Sequence, residues 1–167
     1  VLEEGLEPLF VDLQGAEWIA ADRYQLQADA KRFEVWERSY AIMRGAAAAT
    51  DYALGQGLEN IEKRVTYLAD YARKRLAELS PLQVLDRGEQ LCGIVTVHAE
   101  GWEPEQLKTA LQQKRINTSY TGIGSARLDF QDKGIEWALR ISPHYYNTEA
   151  EIDQLIVALS EILGTRL

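Results

Sequence analysis

The sequence predicts an α+β fold in which a mostly antiparallel sheet is covered by helices. Segments with apolar residues at spacings of three and four alternate with short runs of strand-forming residues. The connections between these segments are short, which favours antiparallel pairing of the strands. The 167 residues, 46% hydrophobic and 26% charged, suffice for one domain with a core, or for one domain plus an arm.

The N-terminal part of the chain shows the weakest pattern. Residues 1–35 mix short apolar runs with Gly and Asp and lack a sustained period, although residues 9–13 fit a short strand. A segment of this kind needs another body to pack against. The Ala-rich run at residues 39–50 predicts a helix, and Gly55 and Gly57 interrupt the chain after it.

The middle of the chain predicts two helices around two strands. Apolar residues at helical spacing predict a second helix, which Pro81 ends. This stripe consists of Leu58, Ile61, Val65, Leu68, Ala72, Leu76 and Leu79. Residues 82–86 and 92–100 predict strands joined by a turn at residues 87–89. Residues 103–114 predict a helix with Pro104 in its first turn.

The C-terminal third predicts two more strands and a closing helix. The strands are expected at residues 115–122 and 135–142, and residues 123–134 between them are expected to form an edge strand or a hairpin. Asn147 or Thr148 caps the last helix, since Thr148 and Glu151 have the spacing of a capping box. Its buried stripe is Ile152, Leu155, Ile156, Leu159, Ile162 and Leu163.

Charge and cysteine content argue against several classes of function. The formal charge of −8 makes a nucleic-acid backbone a poor partner, and the basic runs at residues 63–64, 73–75 and 114–115 fit solvated helix faces. The single cysteine excludes an internal disulfide framework and is typical of a reducing, cytoplasmic setting. No zinc-site spacing, membrane span or signal peptide is recognisable, so neither a metal nor a membrane partner is expected.

Few side chains have the context of a catalytic group. Cys92 is expected to be a small buried hydrophobe rather than a reactive thiolate, because no basic neighbour in the sequence would activate it. His98 is expected to be satisfied or solvent-facing on a strand, and His144 to lie in a packed turn. Gly122 and Gly124 fit a hairpin turn better than a phosphate loop, since no helix is expected directly after them.

The strand at residues 135–142 places Arg140 on the face opposite its apolar residues. Ile135, Trp137, Leu139 and Ile141 share one face, and Glu136, Ala138, Arg140 and Ser142 share the other. Two interpretations are open. Arg140 pairs with Glu136 on the same face, or its guanidinium binds a carboxylate or phosphate group of a ligand.

Three segments carry a resemblance that covers most of the chain. In order between about residues 32 and 163 they read RFEVWERSYAIMRGAAAATDYALGQGLENI, CGIVTVHAEG and LRISPHYYNTEAEID. The most specific pieces are Arg32-Phe33-Glu34 and the pattern Arg-x-Ser-x-x-x-Tyr-Asn-Thr-x-x-Glu-Ile-Asp that begins at Arg140. Together they resemble the C-terminal part of the class V aminotransferase family, which includes cysteine desulfurases, selenocysteine lyases and isopenicillin N epimerase-like proteins.

The resemblance implies the small C-terminal domain of a fold type I enzyme that depends on pyridoxal 5'-phosphate and acts on an amino acid. Residues 1–37 would be the tail of the large cofactor-binding domain, or a linker arm, and residues 38–167 the small domain, within a homodimer. In this family the lysine that attaches the cofactor lies upstream, and none of the six lysines here matches its motif. The fragment alone is therefore expected to be inactive, without covalent cofactor and without a catalytic residue of its own.

The resemblance also assigns one binding residue. Arg140 matches the arginine that binds the substrate α-carboxylate, and Asn147 with Thr148 would fix the turn behind it. Which residues contact the cofactor stays open. In desulfurases a Gly-Thr that follows Arg-Phe-Glu reaches the cofactor phosphate, whereas residues 35–38 read VWER here, which leaves Arg32 or Arg38 as candidates.

One further departure and two further interpretations accompany the resemblance. Desulfurases carry a catalytic cysteine on the loop after the strand that reads INTSYTGIGSARLD here, and this chain has no cysteine there. Persulfide chemistry at that position is therefore not implied. Alternatively, the chain is a stand-alone, non-catalytic interaction or dimerisation domain, or an anion-sensing domain in which Arg140 binds free amino acids.

Overall fold

The computed structural model of the chain describes residues 5–164, which form two compact units. The boundary between the units lies between Ala53 and Leu54, inside the first long helix. Each unit contains its own antiparallel sheet, with two strands in the first and four in the second.

The N-terminal unit is built on a short hairpin and one helical turn. Strand β1 (Ala16–Ala20) pairs antiparallel with β2 (Arg23–Leu26). A 3-10 turn at Ala30–Phe33 follows, and the side chain of Asp29 caps it by accepting the N–H of Lys31 at 2.9 Å.

Asp12 determines the path of the chain before β1. Its carboxylate accepts hydrogen bonds from the backbone N–H of Trp36 at 2.6 Å and of Gln14 at 2.8 Å, and these bonds lower the pKa of Asp12. The strand predicted at residues 9–13 is wrong, because an aspartate that binds backbone N–H groups in this way turns the chain.

Two long helices follow, α1 (Tyr40–Gln56) and α2 (Leu58–Ala77). The helix predicted at residues 39–50 is present and continues through Gly55. Gly57, whose φ of 85° is not helical, separates it from α2. Helix α1 contains no buried residue, whereas α2 buries Leu68, Ala69, Ala72, Arg73 and Leu76.

The C-terminal unit contains a four-stranded sheet in which every pair of neighbours is antiparallel. Its strand order is β3-β4-β6-β5. The strands are β3 (Leu82–Val84), β4 (Val95–Ala99), β5 (Ser119–Gly122) and β6 (Trp137–Ile141). Each lies within a predicted strand and is shorter than predicted, and the α+β class with a mostly antiparallel sheet is confirmed.

Three more helices complete this unit, α3 (Pro104–Gln113), α4 (Arg127–Lys133) and α5 (Glu149–Leu163). The capping box of α5 is confirmed. The Thr148 side chain accepts the N–H of Glu151, and the Glu151 side chain accepts the N–H of Thr148 at 2.7 Å.

The edge strand or hairpin predicted at residues 123–134 is wrong. A 3-10 turn at Ile123–Ser125 leads into α4, whose Phe130 is buried in a small cluster with Leu85 and Ala138. Residues 127–133 therefore form a helix that covers part of the sheet. Gly134 ends this helix in the left-handed conformation that glycine adopts easily.

The main core lies on one face of the sheet, where α2, α3 and α5 pack. Its fully buried side chains include Leu68, Leu76, Val95, Val97, Leu107, Leu111, Leu139, Ile156 and Leu159. Among the described residues of the other face, the small cluster around Phe130 is the only further apolar core. The rest of that face is therefore open for polar side chains.

Candidate functional site

Arg140 lies in the middle of β6, on the sheet face opposite the main core. Its neighbours in the strand, Leu139 and Ile141, are buried, whereas Arg140 is exposed. The predicted alternation is confirmed within β6 and directs the guanidinium away from the three core helices. It is wrong for Ile135, which precedes the strand and packs with Ala138 in the small cluster.

The strands on both sides of Arg140 present small polar residues to it. Thr96 of β4 and Ser119 of β5 are its cross-strand partners. Residues paired in this way point to the same face, so a hydroxyl flanks Arg140 on each side. The ion pair with Glu136, one of the two open interpretations, is not formed, and the Arg140 side chain makes no hydrogen bond or ion pair with any residue of 5–164.

A buried arginine, Arg73 of α2, holds the strand next to Arg140. Its guanidinium donates to the Asp86 carboxylate at 2.8 Å and to the carbonyl oxygens of Cys92 at 2.6 Å and Ile94 at 2.9 Å. Asp86 in turn accepts the backbone N–H of Thr96 at 3.0 Å. The solvated helix face predicted for residues 73–75 is therefore wrong for Arg73, which is 8% exposed.

Arg64, two turns earlier in α2, holds the turn that follows β6. It donates to both carboxylate oxygens of Glu149, at 2.7 and 2.9 Å, and to the carbonyl of Asn147 at 3.0 Å. This bidentate contact lowers the pKa of Glu149 from 4.5 to about 2. Sequence reasoning missed the roles of Arg64 and Arg73. The only signal available for them was that each is adjacent to a residue of the apolar stripe of α2.

The turn after β6 is closed by its own polar groups. Asn147 donates its N–H to the carbonyl of His144 at 2.9 Å, and its side-chain oxygen accepts the N–H of His144 at 2.8 Å. Of the two expected cap residues, Thr148 is the N-cap of α5, and Asn147 closes the turn before it. The His144 ring is exposed and stacks on Tyr146, with ring centres 5.1 Å apart.

The prediction for Cys92 is wrong, whereas the prediction for His98 is confirmed. Cys92 is exposed and lies before β4, so the prediction of a buried cysteine on a strand is wrong. The ladder begins only at Val95, because Arg73 takes the carbonyls of Cys92 and Ile94. His98 is satisfied as expected, with Nδ1 3.1 Å from the carbonyl oxygen of Trp137.

The predictions for the segment after β5 and for the basic residues of the N-terminal unit can also be compared with the structure. Gly122 ends β5 and Gly124 lies in the 3-10 turn that leads into α4, so the predicted hairpin turn is wrong. Arg32 donates to the carbonyls of Gln27 at 2.9 Å and Ala28 at 3.1 Å, and Arg38 pairs with Glu34. Both candidate phosphate contacts are therefore engaged within their own unit.

The described lysines and possible metal ligands were compared with what a bound cofactor or metal ion requires. Lys108, Lys114 and Lys133 each pair with a carboxylate. Residues 5–164 contain no group of three or more His, Cys, Asp or Glu side chains placed to bind a metal ion. None of their helices combines the length and apolar character that a membrane span requires.

Comparisons with known proteins place the chain in a family. The model of the aminotransferase class-V family matches residues 3–155. A probable hercynylcysteine sulfoxide lyase of Mycobacterium tuberculosis is 32% identical over 125 residues, which are 74% of this chain and 31% of that protein. A probable cysteine desulfurase of Xylella fastidiosa is 27% identical over 131 residues, 78% of this chain and 31% of that protein.

Solved structures show the same fold. The apo structure of a cysteine desulfurase from Thermococcus onnurineus NA1 has a TM-score of 0.81 at 24% identity, over 95% of this chain and 40% of that one. An Escherichia coli cysteine desulfurase gives a TM-score of 0.81 at 20% identity, over 95% and 39%. The chain spans about a third of the length of the curated relatives it matches. It belongs to the aminotransferase class-V family.

Proposed function

We propose that this chain forms the C-terminal part of a pyridoxal-phosphate-dependent enzyme that acts on an amino acid, and that Arg140 binds the α-carboxylate of the substrate. The observation that carries this proposal is the unpaired guanidinium of Arg140 on the open face of the sheet. A planar fork of donors held on a rigid strand suits a carboxylate, which it can bind through two parallel hydrogen bonds.

The chain contributes binding groups and leaves the attachment of the cofactor to the rest of the protein. Pyridoxal phosphate, when bound, supplies the electron sink for bond changes at the α-carbon. Three of the six lysines pair with surface carboxylates, and the others are exposed on α2 or on the first 3-10 turn. We infer that residues 1–37 belong to the large domain, that residues 38–167 form the small domain, and that residues 1–167 alone are inactive.

The substrate class follows from the relatives and from one departure. The two curated relatives described above are named for action on cysteine or on a cysteine sulfoxide derivative. The chain has a serine, Ser125, and no cysteine in the turn after β5, and Cys92 lies in a different loop. We infer a cysteine-derived substrate whose sulfur is released without passing to a cysteine of that turn.

The quaternary and cellular settings are part of the same proposal. Apolar side chains are exposed along residues 5–53, including Leu9 at 89% and Phe10 at 77%. Exposed apolar surface of this kind supports a covering partner, which we take to be the large domain and the second subunit of a homodimer. The single free cysteine supports a cytoplasmic location.

The experiment uses the full-length protein and starts with its visible absorption spectrum before and after borohydride. A yellow band that borohydride abolishes is expected. Arg140→Ala should then lower kcat/KM for the amino-acid substrate by roughly 30-fold or more, because a charge-assisted pair is lost. Arg140→Lys should recover part of this, since it keeps the charge without the fork.

A matched control separates this effect from the loss of any surface charge. Arg44 on α1 is also exposed and unpaired among the described residues, so Arg44→Ala should retain the wild-type kcat/KM. Equal activity of the Arg140→Ala and wild-type enzymes would refute the assignment of Arg140. A colourless protein, even after incubation with pyridoxal phosphate, would favour the alternative, a non-catalytic interaction or dimerisation domain. The observation that supports this alternative is that α1 contains no buried residue.

A further inference from the structure

A cavity lies on the helix-covered side of the sheet, away from the face that carries Arg140. It has a volume of about 290 Å³ and lies between the segment before β5, the end of β6 and the first turns of α5. Its apolar floor includes Ile141, the neighbour of Arg140 that points to the opposite face. The polar residues of its wall include Arg115, Asn117, Thr118, Ser142, Glu151 and Gln154.

Arg115 occupies a backbone position that normally belongs to glycine. It follows α3 with a φ of 63°, and it is the only non-glycine residue of the described chain with a positive φ. Its N–H donates to the Gln112 carbonyl, and the N–H of Ile116 donates to that of Leu111, as in the usual left-handed helix end. An arginine held in a strained position is a reason to look for a role of its side chain. Its guanidinium makes no ion pair with the residues of 5–164.

Several polar groups of the cavity lack partners. The Thr118 hydroxyl is buried and makes no hydrogen bond, which is rare for a buried polar atom. The side chains of Asn117, Ser142 and Gln154 also make no hydrogen bond to the described residues. The cavity therefore offers hydrogen-bonding groups that the fold itself leaves unused.

The charges of the cavity are balanced. Arg115 provides one cation and Glu151 one carboxylate. All the hydrogen bonds of Glu151 from Asn147 and Thr148 end on Oε2, and they lower its pKa. Its Oε1 accepts none from the described residues and is free to accept a further donor.

We propose that this cavity binds a free α-amino acid, with the α-carboxylate on Arg115 and the α-ammonium on Oε1 of Glu151. A small zwitterion matches one cation, one carboxylate and unused hydroxyl and amide groups in a space of about 290 Å³. The site lies on the other side of the sheet from Arg140, and it does not depend on the function proposed for Arg140.

The test uses the full-length protein with Arg140→Ala, so that binding at Arg140 does not contribute. Common L-α-amino acids are titrated one at a time at millimolar concentrations, and binding is followed by calorimetry. At least one is expected to bind saturably. Adding Arg115→Gly should weaken this binding about tenfold or more. The same substitution should leave the Tm unchanged or raise it, because glycine relieves the strained φ.

Ligand analogues and a second variant sharpen the outcomes. The methyl ester and the N-acetyl form of the same amino acid should each bind about tenfold or more weakly, since each lacks one charge. Arg115→Lys should keep part of the affinity. The proposal is overturned if no amino acid binds, if binding survives Arg115→Gly, or if inorganic phosphate competes as well as the amino acid does, because the cavity would then be a simple anion site.

Discussion

Arg73 is the residue whose removal should damage the C-terminal unit most clearly. It is 8% exposed and ties α2 to Asp86 at 2.8 Å and to two backbone carbonyls before β4. Its further contact with Asp70, at 2.9 Å, involves a half-exposed carboxylate and should matter little. The perturbation of choice is Arg73→Ala, which removes the cation and leaves the Asp86 side chain, 10% exposed, in place.

The expected loss follows from what remains buried. Breaking a buried pair by removing one partner costs about 3–5 kcal/mol, because the other charge stays desolvated. Asp86 keeps the N–H and hydroxyl of Thr96 as donors, so we expect the lower end, about 3 kcal/mol. With a urea m-value of about 1–3 kcal/mol per M, the unfolding midpoint should fall by roughly 1–3 M.

Urea unfolding followed by tryptophan fluorescence measures this loss, with two comparisons. Lys74 is the next residue of α2 and is exposed, so Lys74→Ala should change the free energy of unfolding by less than about 0.5 kcal/mol. In a double-mutant cycle, Arg73→Ala and Asp86→Ala together should cost less than the sum of the two single changes. An Arg73→Ala midpoint equal to that of Lys74→Ala would refute the view that the buried arginine fixes the start of β4.

Two further predictions concern the pH dependence of the Arg64 pair and the packing of a glycine. The pKa of Glu149 is lowered from 4.5 to about 2 by Arg64, so the stability that this pair gives above about pH 4.5 should be lost as the pH falls toward about 2. The gap in unfolding midpoint between wild type and Glu149→Gln should therefore narrow on acidification, and a constant gap would contradict the pairing. A Cβ at Gly93 would overlap with Cγ1 of Val65, so Gly93→Ala should cost about 1–3 kcal/mol. Gly124→Ala, in open space, should be close to neutral in the same urea titration.

The parts of the fold that sequence periodicity predicts are those in which one local pattern decides the structure. The stripe of α2, the alternation of β6 and the Thr148–Glu151 capping box each depend on residues only a few positions apart. The exposed position of Arg140 belongs to this group, since strand alternation alone places it opposite Leu139 and Ile141.

The failures have a common physical cause in contacts between residues distant in sequence. Phe130 makes α4 a helix because it packs on Leu85 and Ala138, and no local spacing contains that information. Cys92 is exposed because Arg73, 19 positions earlier, takes its carbonyl and keeps the segment out of the ladder. Charged residues on a helix are usually solvated. Composition therefore does not indicate that one arginine of a basic run is buried.

The same long-range contacts explain why Arg140 can remain free. Arg73 fixes the neighbouring strand through Asp86, and Arg64 fixes the turn after β6 through Asn147, so the strand of Arg140 is held at its flank and its end by other residues. Arg140→Ala should therefore change the free energy of unfolding by no more than about 0.5 kcal/mol. A much larger loss would show that Arg140 serves the fold, whereas retained stability with lost amino-acid affinity would separate its binding role from any structural one.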